Sequence, residues 1–488
     1  MDQARPQNSQ RTAYLHFASR FPFPVNPIFF GQTFVIGNLT AATRYANPYT
    51  EKPASPYAAN PYKKRNYVFL RDADPLSEPL LGEKAQKLSR ARFNATLKVG
   101  YSIEAIDQMA SFVRKQAEEG YHSVMLFHFP VSPDTEFAYA LRRALEAGGL
   151  SREHSVIFYL HTNADSHYHR PEDEAFSRYH LAMCRAADGV IGVSQAVRDN
   201  FVKIRVRDGE GEVSLNPDTS LVVRNGIDPH IYTIRDEKEI CEARRELGLA
   251  DGLEKVVSFV GRMDRLKGSD YLIKVLEHFE ASTDQADAKV GFVIATPHVL
   301  NIDMASKPFR GLLRMKRLIS ENRLKVVLDI SKFTRGDERF RDDVEGILRG
   351  YAEKRGLSSA LGDPLFRSLY GGMTNIPIQT ISDVYLHPSR SEAFGLAVLE
   401  GVFSGAYVVS TRVGGIPEIV VDPRLGTLVP LDSDKNVFVK KLIMAICGAE
   451  PPRSFDRAGL EAYFASYTDR SMFDGFESAV SRIRGVRS

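Results

Sequence analysis

The chain has 488 residues, too many for one hydrophobic core, so two domains are expected. With 43% hydrophobic and 26% charged residues it has the composition of an ordinary soluble globular protein, and its formal charge of +3 argues neither for nor against nucleic acid. No run interleaves basic and aromatic residues as nucleic-acid modules do, and no apolar stretch approaches membrane-spanning length.

The three cysteines, Cys184, Cys241 and Cys447, are odd in number and far apart, a pattern of reduced thiols in a cytoplasmic protein. Met1 to Arg11 is polar and lacks the apolar centre of a signal peptide.

Ala13 to Phe17 predicts a first strand, followed by an aromatic, proline-rich loop over Phe21 to Phe30. Gly31-Gln32 then opens a predicted helix from Thr33 to Tyr45. Ala46 to Lys64, rich in Pro, Tyr and Asn, reads as a surface loop before a second strand, Asn66 to Leu70. That strand ends in Arg71-Asp72-Ala73-Asp74. Asp-x-Asp after a strand suits either a divalent metal or a turn capped by carboxylates, and the turn is the favoured reading.

Ser102 to Glu119 has apolar residues at helical spacing and is stopped by Gly120. Strand Ser123 to Phe129, helix Asp134 to Ala147 and strand Val156 to Leu160 follow. His161-Thr162-Asn163 lies at the carboxyl end of that last strand, where open α/β sheets hold ligands. His167, His169 and His180 do not have zinc spacing and read as loop and helix surface. Beyond a helix over Ser177 to Ala187, Asp188 to Ser194 forms a strand leading into a capped helix. A domain boundary is expected between Asn216 and Tyr232.

The second half opens with strand Lys255 to Val260, then Gly261-Arg262-Met263-Asp264-Arg265-Leu266-Lys267-Gly268 and a helix to Phe279. A glycine turn carrying Arg, a planar fork of donors, and Lys, a mobile point charge, suits a diphosphate. Strand Val290 to Ala295 runs into Thr296-Pro297-His298. A basic amphipathic helix is expected over Leu312 to Asn322; a solvated face is favoured over membrane association. The role of residues 299–376 is open, although Gly371-Gly372 resembles a ligand-facing loop.

Ile381 to Val420 is the most informative stretch. Asp383 to Leu386 is a short buried strand, broken by His387-Pro388-Ser389-Arg390-Ser391. A helix from Gly395 to Ser404 follows, then strand Ala406 to Ser410, the turn Gly414-Gly415 and a helix after Pro417. Phe394-Gly395-Leu396 places backbone amides at a helix start, which attracts phosphate, and Glu400 lies one turn beyond Leu396 on the same face. A helix from Asn436 to Cys447 and a last helix from Met472 to Val486 complete the chain.

Glu392-x7-Glu400 with an internal Phe-Gly, followed by Gly-Gly-Ile-Pro-Glu, resembles the signature of the retaining GT-B glycosyltransferases of the family 4 type. The Gly-Arg-x4-Lys-Gly string is similar to that family's phosphate loop. The resemblance implies an α/β fold of GT-B type, two doubly wound Rossmann-like domains facing across a cleft. It implies an acceptor-binding domain over 1–225, a nucleotide-sugar domain over 226–455, and a C-terminal helix over 456–488 crossing back to the first.

It further implies a hexosyl transfer from a nucleotide-diphosphate sugar, a UDP-sugar first, to a hydroxyl of a small acceptor, with no metal and no cofactor. His161 and Glu392 would lie at the transferred sugar, and Glu400 at the ribose. Arg262 and Lys267 would hold the diphosphate, with the amides of Phe394, Gly395 and Leu396. Gly31 would face the phosphates from a loop that in the family is richer in glycine. A sugar-nucleotide epimerase on the same fold and a non-catalytic sugar-nucleotide sensor are the alternatives. A pyridoxal phosphorylase would need a marked Schiff-base lysine, and no string supplies one. Oligomeric state, acceptor and nucleotide base are left open.

Overall fold

The computed structural model describes residues 11–18, 65–70, 96–99, 105–128, 133–150, 154–163, 174–209, 211–300, 304–331, 341–354, 357–450 and 460–487. The expectations for Gly31, the 33–45 helix, Asp72, Asp74, His167 and His169 lie outside those residues. Two compact units emerge, the first running to Gly226 and including the last helix, Asp469–Arg487, the second spanning Ile227–Thr468.

In chain order the first unit's strands are β1 (Arg11–Ala18), β2 (Arg65–Leu70), β3 (Thr96–Val99), β4 (Tyr121–Phe127), β5 (His154–Leu160) and β6 (Gly189–Gly192). After these come β7 (Val206–Asp208), β8 (Gly211–Val213) and β9 (Ser220–Val222). β7 and β8 form a separate antiparallel ribbon. The other seven make one sheet in the order β3-β2-β1-β4-β5-β6-β9, parallel throughout.

Every residue of β4 and β5 is buried, as a parallel sheet covered on both faces requires. Phe17 stacks on Phe127 at 4.5 Å, and Phe127 lies 5.4 Å from Phe158, so one aromatic row joins three neighbouring strands. The last helix seals this unit: Phe476 packs 5.4 Å from Tyr14 and 6.2 Å from Tyr159, and Tyr14 donates to Glu477.

The second unit repeats the plan with β10 (Lys255–Val260), β11 (Val290–Ala295), β12 (Leu324–Asp329), β13 (Tyr370–Thr374), β14 (Val384–His387), β15 (Tyr407–Thr411) and β16 (Gly426–Val429). Their order is β13-β12-β11-β10-β14-β15-β16, again all parallel. Asp383, at the entrance to β14, accepts from the Val256 amide at 2.7 Å and from Arg244 at 2.7 Å, which ties the two central strands at one end.

In both units the strand order reverses beside the first strand, between β1 and β4 and between β10 and β14. The connections leave in opposite directions at such a switch point and open a crevice at the carboxyl ends.

Three expectations fail here. His180 is no surface residue: it is 0% exposed in the helix Glu174–Ala186, stacked between Phe176 and Phe201. It occupies the helix's inward stripe, where an imidazole packs as an aromatic ring. The basic helix over Leu312 to Asn322 is two short ones, Lys307–Leu313 and Lys316–Ser320. Arg314, paired with Glu277, and Lys316 are exposed as a solvated face requires, but Arg317 turns in to donate to the carbonyls of Phe279 and Ser282. Gly371-Gly372 is strand rather than loop. A Cβ on Gly371 would come within 2.9 Å of Val327 and 3.0 Å of the Leu247 carbonyl, so close packing of β13 explains that glycine.

Candidate functional site

The second unit's site grows from two loops beside its switch point. One follows β10 and enters the helix Ser269–Ala281 through Gly268; the other follows β14 and enters the helix Leu396–Phe403 through Gly395. Both glycines are left-handed, with φ of 72° and 103°, so each loop turns abruptly into its helix. Gly268 also carries the contact between the loops, since a Cβ there would lie 2.0 Å from the Pro388 carbonyl oxygen.

Further bonds weld the two loops. The Arg390 amide donates to the Leu266 carbonyl at 2.8 Å, and its guanidinium to the Arg265 carbonyl at 2.7 Å. The same guanidinium grips Asp270 with two bonds of 2.6 and 2.9 Å and lies 3.9 Å over the Tyr271 ring. Lys435 adds a third bond to Asp270 at 2.8 Å. Burial pushes the Asp270 carboxyl up, but these cations outweigh it and bring it down to about 2.

This framework sets Lys267 against Glu392. The Lys267 ammonium donates to Glu392 Oε2 at 2.5 Å, and His387 Nε2 reaches the same oxygen at 3.2 Å. Burial raises the Glu392 carboxyl, yet Lys267 and then His387 overcome it and hold it well below the usual range. Burial likewise pulls the His387 imidazole down, so this ring is neutral and donates to Glu392 from Nε2. Its Nδ1 then accepts from the Tyr385 hydroxyl at 2.9 Å. Tyr385, His387, Glu392 and Lys267 thus form one ordered chain.

Arg262 is steadied by Asp264, whose other oxygen accepts from the Lys267 amide at 2.9 Å; the Arg262–Asp264 pair spans 2.8 Å. The first amides of the helix Leu396–Phe403 lack acceptors inside the helix and carry its positive end. Phe394 is buried beside them, 6.1 Å from Tyr467. Glu400 is 4% exposed and accepts from Gln379 at 2.9 Å, a short reach for a carboxylate already committed to a partner. The structure therefore brings Arg262, Lys267, Glu392 and the Phe394–Leu396 turn to one end of the second sheet, with Glu400 one turn deeper.

His161 belongs to the first unit, just past β5, where it meets His128 at 2.8 Å. His128 follows β4 and meets His16 of β1 at 3.1 Å. His16, His128, Tyr385, His387 and Gln379 were not singled out from the sequence. The signal was present: His128 and His387 are polar residues just past or at the carboxyl ends of buried apolar strands, His16 lies two residues before the end of another, and Tyr385 shares a strand face with His387.

Residues 369–461 match the family described as glycosyl transferases group 1. The chain carries a group 1 glycosyl transferase domain on the GT-B fold. Among curated relatives, it is 26% identical to the alpha-maltose-1-phosphate synthase of Mycolicibacterium smegmatis over 55% of this chain and 56% of that one. It is 28% identical to the D-inositol 3-phosphate glycosyltransferase of Corynebacterium aurimucosum over 44% of this chain and 40% of that one. The chain thus spans about half the length of the curated relatives it matches.

Solved structures of similar fold cover nearly all of it. The Anabaena HepE protein, solved with UDP and glucose, is similar at TM-score 0.53 and 15% identity, covering 96% of this chain and 99% of its own. The sucrose-phosphate synthase of Thermosynechococcus elongatus is similar at TM-score 0.55 and 15% identity, covering 98% of this chain and 100% of its own. Among the described residues, no helix is long and apolar enough to cross a membrane.

Proposed function

We propose that this chain transfers a hexosyl group from a nucleotide-diphosphate sugar, a UDP-sugar first, to a hydroxyl of a small acceptor. The observation that carries the reading is the buried Lys267–Glu392 pair at the mouth of the β10/β14 switch point, set beside a helix N-terminus. The UDP and glucose bound by the Anabaena HepE protein support the choice of donor.

An ammonium has three donors, and Glu392 uses one of them, so Lys267 keeps two for a diphosphate oxygen. Arg262 adds a second cation, and the amides from Phe394 to Leu396 a third source of positive charge. Charge that builds on the leaving diphosphate is met by these groups without a metal ion. Glu392, ionised and fixed by two donors, holds hydroxyls of the transferred sugar, and Glu400 takes the ribose.

With Glu392 committed to the sugar, the departing diphosphate is the base that takes the acceptor's proton. Attack then occurs on the face it vacates, with retention at the anomeric carbon. A 2-epimerase on the same fold would instead release free nucleotide and a rearranged sugar.

The test is UDP-glucose incubated with the protein and no acceptor. Slow release of UDP and unrearranged glucose, with the α anomer formed first in proton NMR, is expected. A β anomer with its large diaxial coupling overturns retention, and a rearranged sugar selects the epimerase. Absence of calorimetric binding by UDP, UDP-glucose and other nucleoside diphosphates overturns the whole reading.

A further inference from the structure

His387 ends β14 with only 2% exposure, and both of its ring nitrogens are engaged. Nε2 lies 3.2 Å from Glu392 Oε2 and 3.0 Å from Ser389 Oγ, while Nδ1 lies 2.9 Å from the Tyr385 hydroxyl. That hydroxyl has a second acceptor in reach, the Val260 carbonyl at 3.3 Å, at the end of β10 where the Arg262–Lys267 loop begins. Lys267 donates to the same Glu392 oxygen that His387 uses. From β15 the Ser410 hydroxyl donates to the His387 carbonyl at 2.9 Å, and the charge of Glu400, on the helix Leu396–Phe403, bears on Tyr385.

We propose that donor binding charges His387: when a nucleotide-diphosphate sugar sets its phosphates on Lys267, the ring takes a proton from solvent on Nδ1, and the Tyr385 hydroxyl turns from that nitrogen to the Val260 carbonyl. This deepens the sugar-nucleotide reading of the same site and rests on it. His387 is then a positioning residue, acting through Glu392.

While Glu392 is ionised, His387 Nε2 must carry a hydrogen, because a lone pair there would face a carboxylate oxygen at 3.2 Å. The neutral ring therefore offers only Nδ1 to an incoming proton. In the free chain burial opposes that second proton, Glu392 favours it, and the charge of Lys267 counts against it. A diphosphate on Lys267 brings negative charge to this point and offsets the ammonium. The balance at the ring then moves towards the imidazolium.

No heavy atom has to move for this. A hydroxyl donates one hydrogen, and Tyr385 gives it to Nδ1 while the ring is neutral. Once Nδ1 carries its own hydrogen, Tyr385 accepts from it and donates to Val260 instead. Both N–H groups of the buried cation then have acceptors, and its charge is paired with Glu392. As Lys267 gives part of its hydrogen bonding to phosphate, the charged ring keeps Glu392 ionised and in place.

The test is calorimetric titration of the intact wild-type chain with UDP-glucose at pH 7, in buffers of different ionisation enthalpy. The diphosphate of UDP-glucose is esterified at both ends and does not titrate near neutral pH, so a proton taken up belongs to the protein. Uptake of about half a proton or more per ligand is expected, with affinity rising about 3- to 30-fold from pH 8 to pH 6, because binding that takes up protons strengthens as pH falls. Binding without uptake, or with release, overturns the proposal. Long-range proton–nitrogen spectra of ¹⁵N-histidine-labelled chain should show His387 as the neutral Nε2–H tautomer when free and as an imidazolium when saturated with UDP-glucose. An Nδ1–H tautomer or an imidazolium in the free chain, or a neutral ring in the complex, also overturns it. His387→Gln keeps a donor towards Glu392 but cannot be charged, and its uptake should vanish; wild-type uptake there assigns the proton elsewhere. Tyr385→Phe, a second variant, removes the acceptor of the Nδ1–H and should lower uptake by at least about half; unchanged uptake overturns the role of the hydroxyl. Absence of any nucleotide binding sinks the functional reading and this inference with it, whereas binding without uptake sinks this inference alone.

Discussion

Replacing Lys267 by methionine tests the central pair directly, because it keeps the stem and removes the charge. The side chains are 24% and 13% exposed for Lys267 and Glu392, and the ammonium sits 2.5 Å from the carboxylate. Breaking one partner of a buried pair costs about 3–5 kcal/mol, and this pair belongs at or just under the lower end, because it is partly wet and His387 still donates to Glu392. Lys267→Met should therefore destabilise the second unit by about 2–3 kcal/mol at neutral pH, and Glu392→Gln by a similar amount. The double variant, with no stranded charge, should cost only about 1–2 kcal/mol, a coupling of about 3–4 kcal/mol.

The pH dependence gives an independent check. In the wild type the Glu392 carboxyl is depressed, so its contribution is present above the ordinary glutamate value and fades as pH falls through it. With Lys267 gone, burial dominates and raises the carboxyl, which reverses the sign: stability is lost as pH rises. The gap between wild type and Lys267→Met should narrow on going from pH 7 to pH 5. The chain has no tryptophan, so urea unfolding is followed by circular dichroism, with hydrogen exchange at Val384–His387 to locate the loss. Additive single-variant effects, or a gap independent of pH, would refute the reasoning.

Gly268→Ala should cost at least about 3 kcal/mol and abolish calorimetric UDP binding, since the new Cβ meets both a left-handed φ of 72° and the Pro388 oxygen at 2.0 Å; a melting temperature within a degree of wild type speaks against it. His180→Leu should stabilise the chain by about 1–2 kcal/mol at neutral pH, because both imidazole nitrogens are buried without a bond. Burial draws His180 down to about 4, so its acid penalty grows as pH falls from about 6.5 towards 4 and reaches about 3 kcal/mol, and the leucine variant should lose that part of the acid sensitivity in thermal melts. Turnover should survive EDTA, and loss restored by Mn²⁺ or Mg²⁺ would bring a metal into the mechanism. Glu392→Gln should retain UDP affinity while turnover drops, whereas Glu400→Gln should weaken UDP binding; calorimetry giving the opposite pattern would exchange their roles.

The fold was legible because parallel strands buried on both faces write themselves as continuous apolar runs. Val290–Ala295 was read at the boundaries it has, and Gly120, expected to stop the helix before it, takes a left-handed conformation with φ of 79°. Where the reading failed, tertiary packing decided a residue that local pattern had described differently. The 312–322 segment read as one solvated helix; Arg314 and Lys316 are exposed as read, but the helix breaks in two and Arg317 is spent on the carbonyls of Phe279 and Ser282. Gly371 looked like a turn and instead makes room for Val327 and Leu247 against an edge strand.

The site was legible where one short string carries several functional groups, and invisible where the chemistry is assembled across strands. Glu392, Gly395 and Glu400 lie within nine residues, and Arg262 and Lys267 within six, so each set falls in one short string whose resemblance to a family signature could flag it. The Lys267–Glu392 bond joins residues 125 positions apart, and the His16–His128 contact joins residues 112 apart. No local pattern encodes such a pair; the parallel order of the strands does. Each crossover in a doubly wound sheet returns the chain to the same edge, so every strand delivers its last residue beside that of its neighbour. A polar residue ending one buried strand is therefore weak evidence, but polar residues ending several strands that the topology makes adjacent point to one place. Applied to β1, β4 and β5 that rule gathers His16, His128 and His161, and applied to β10 and β14 it sets the Arg262–Lys267 loop beside His387 and Glu392.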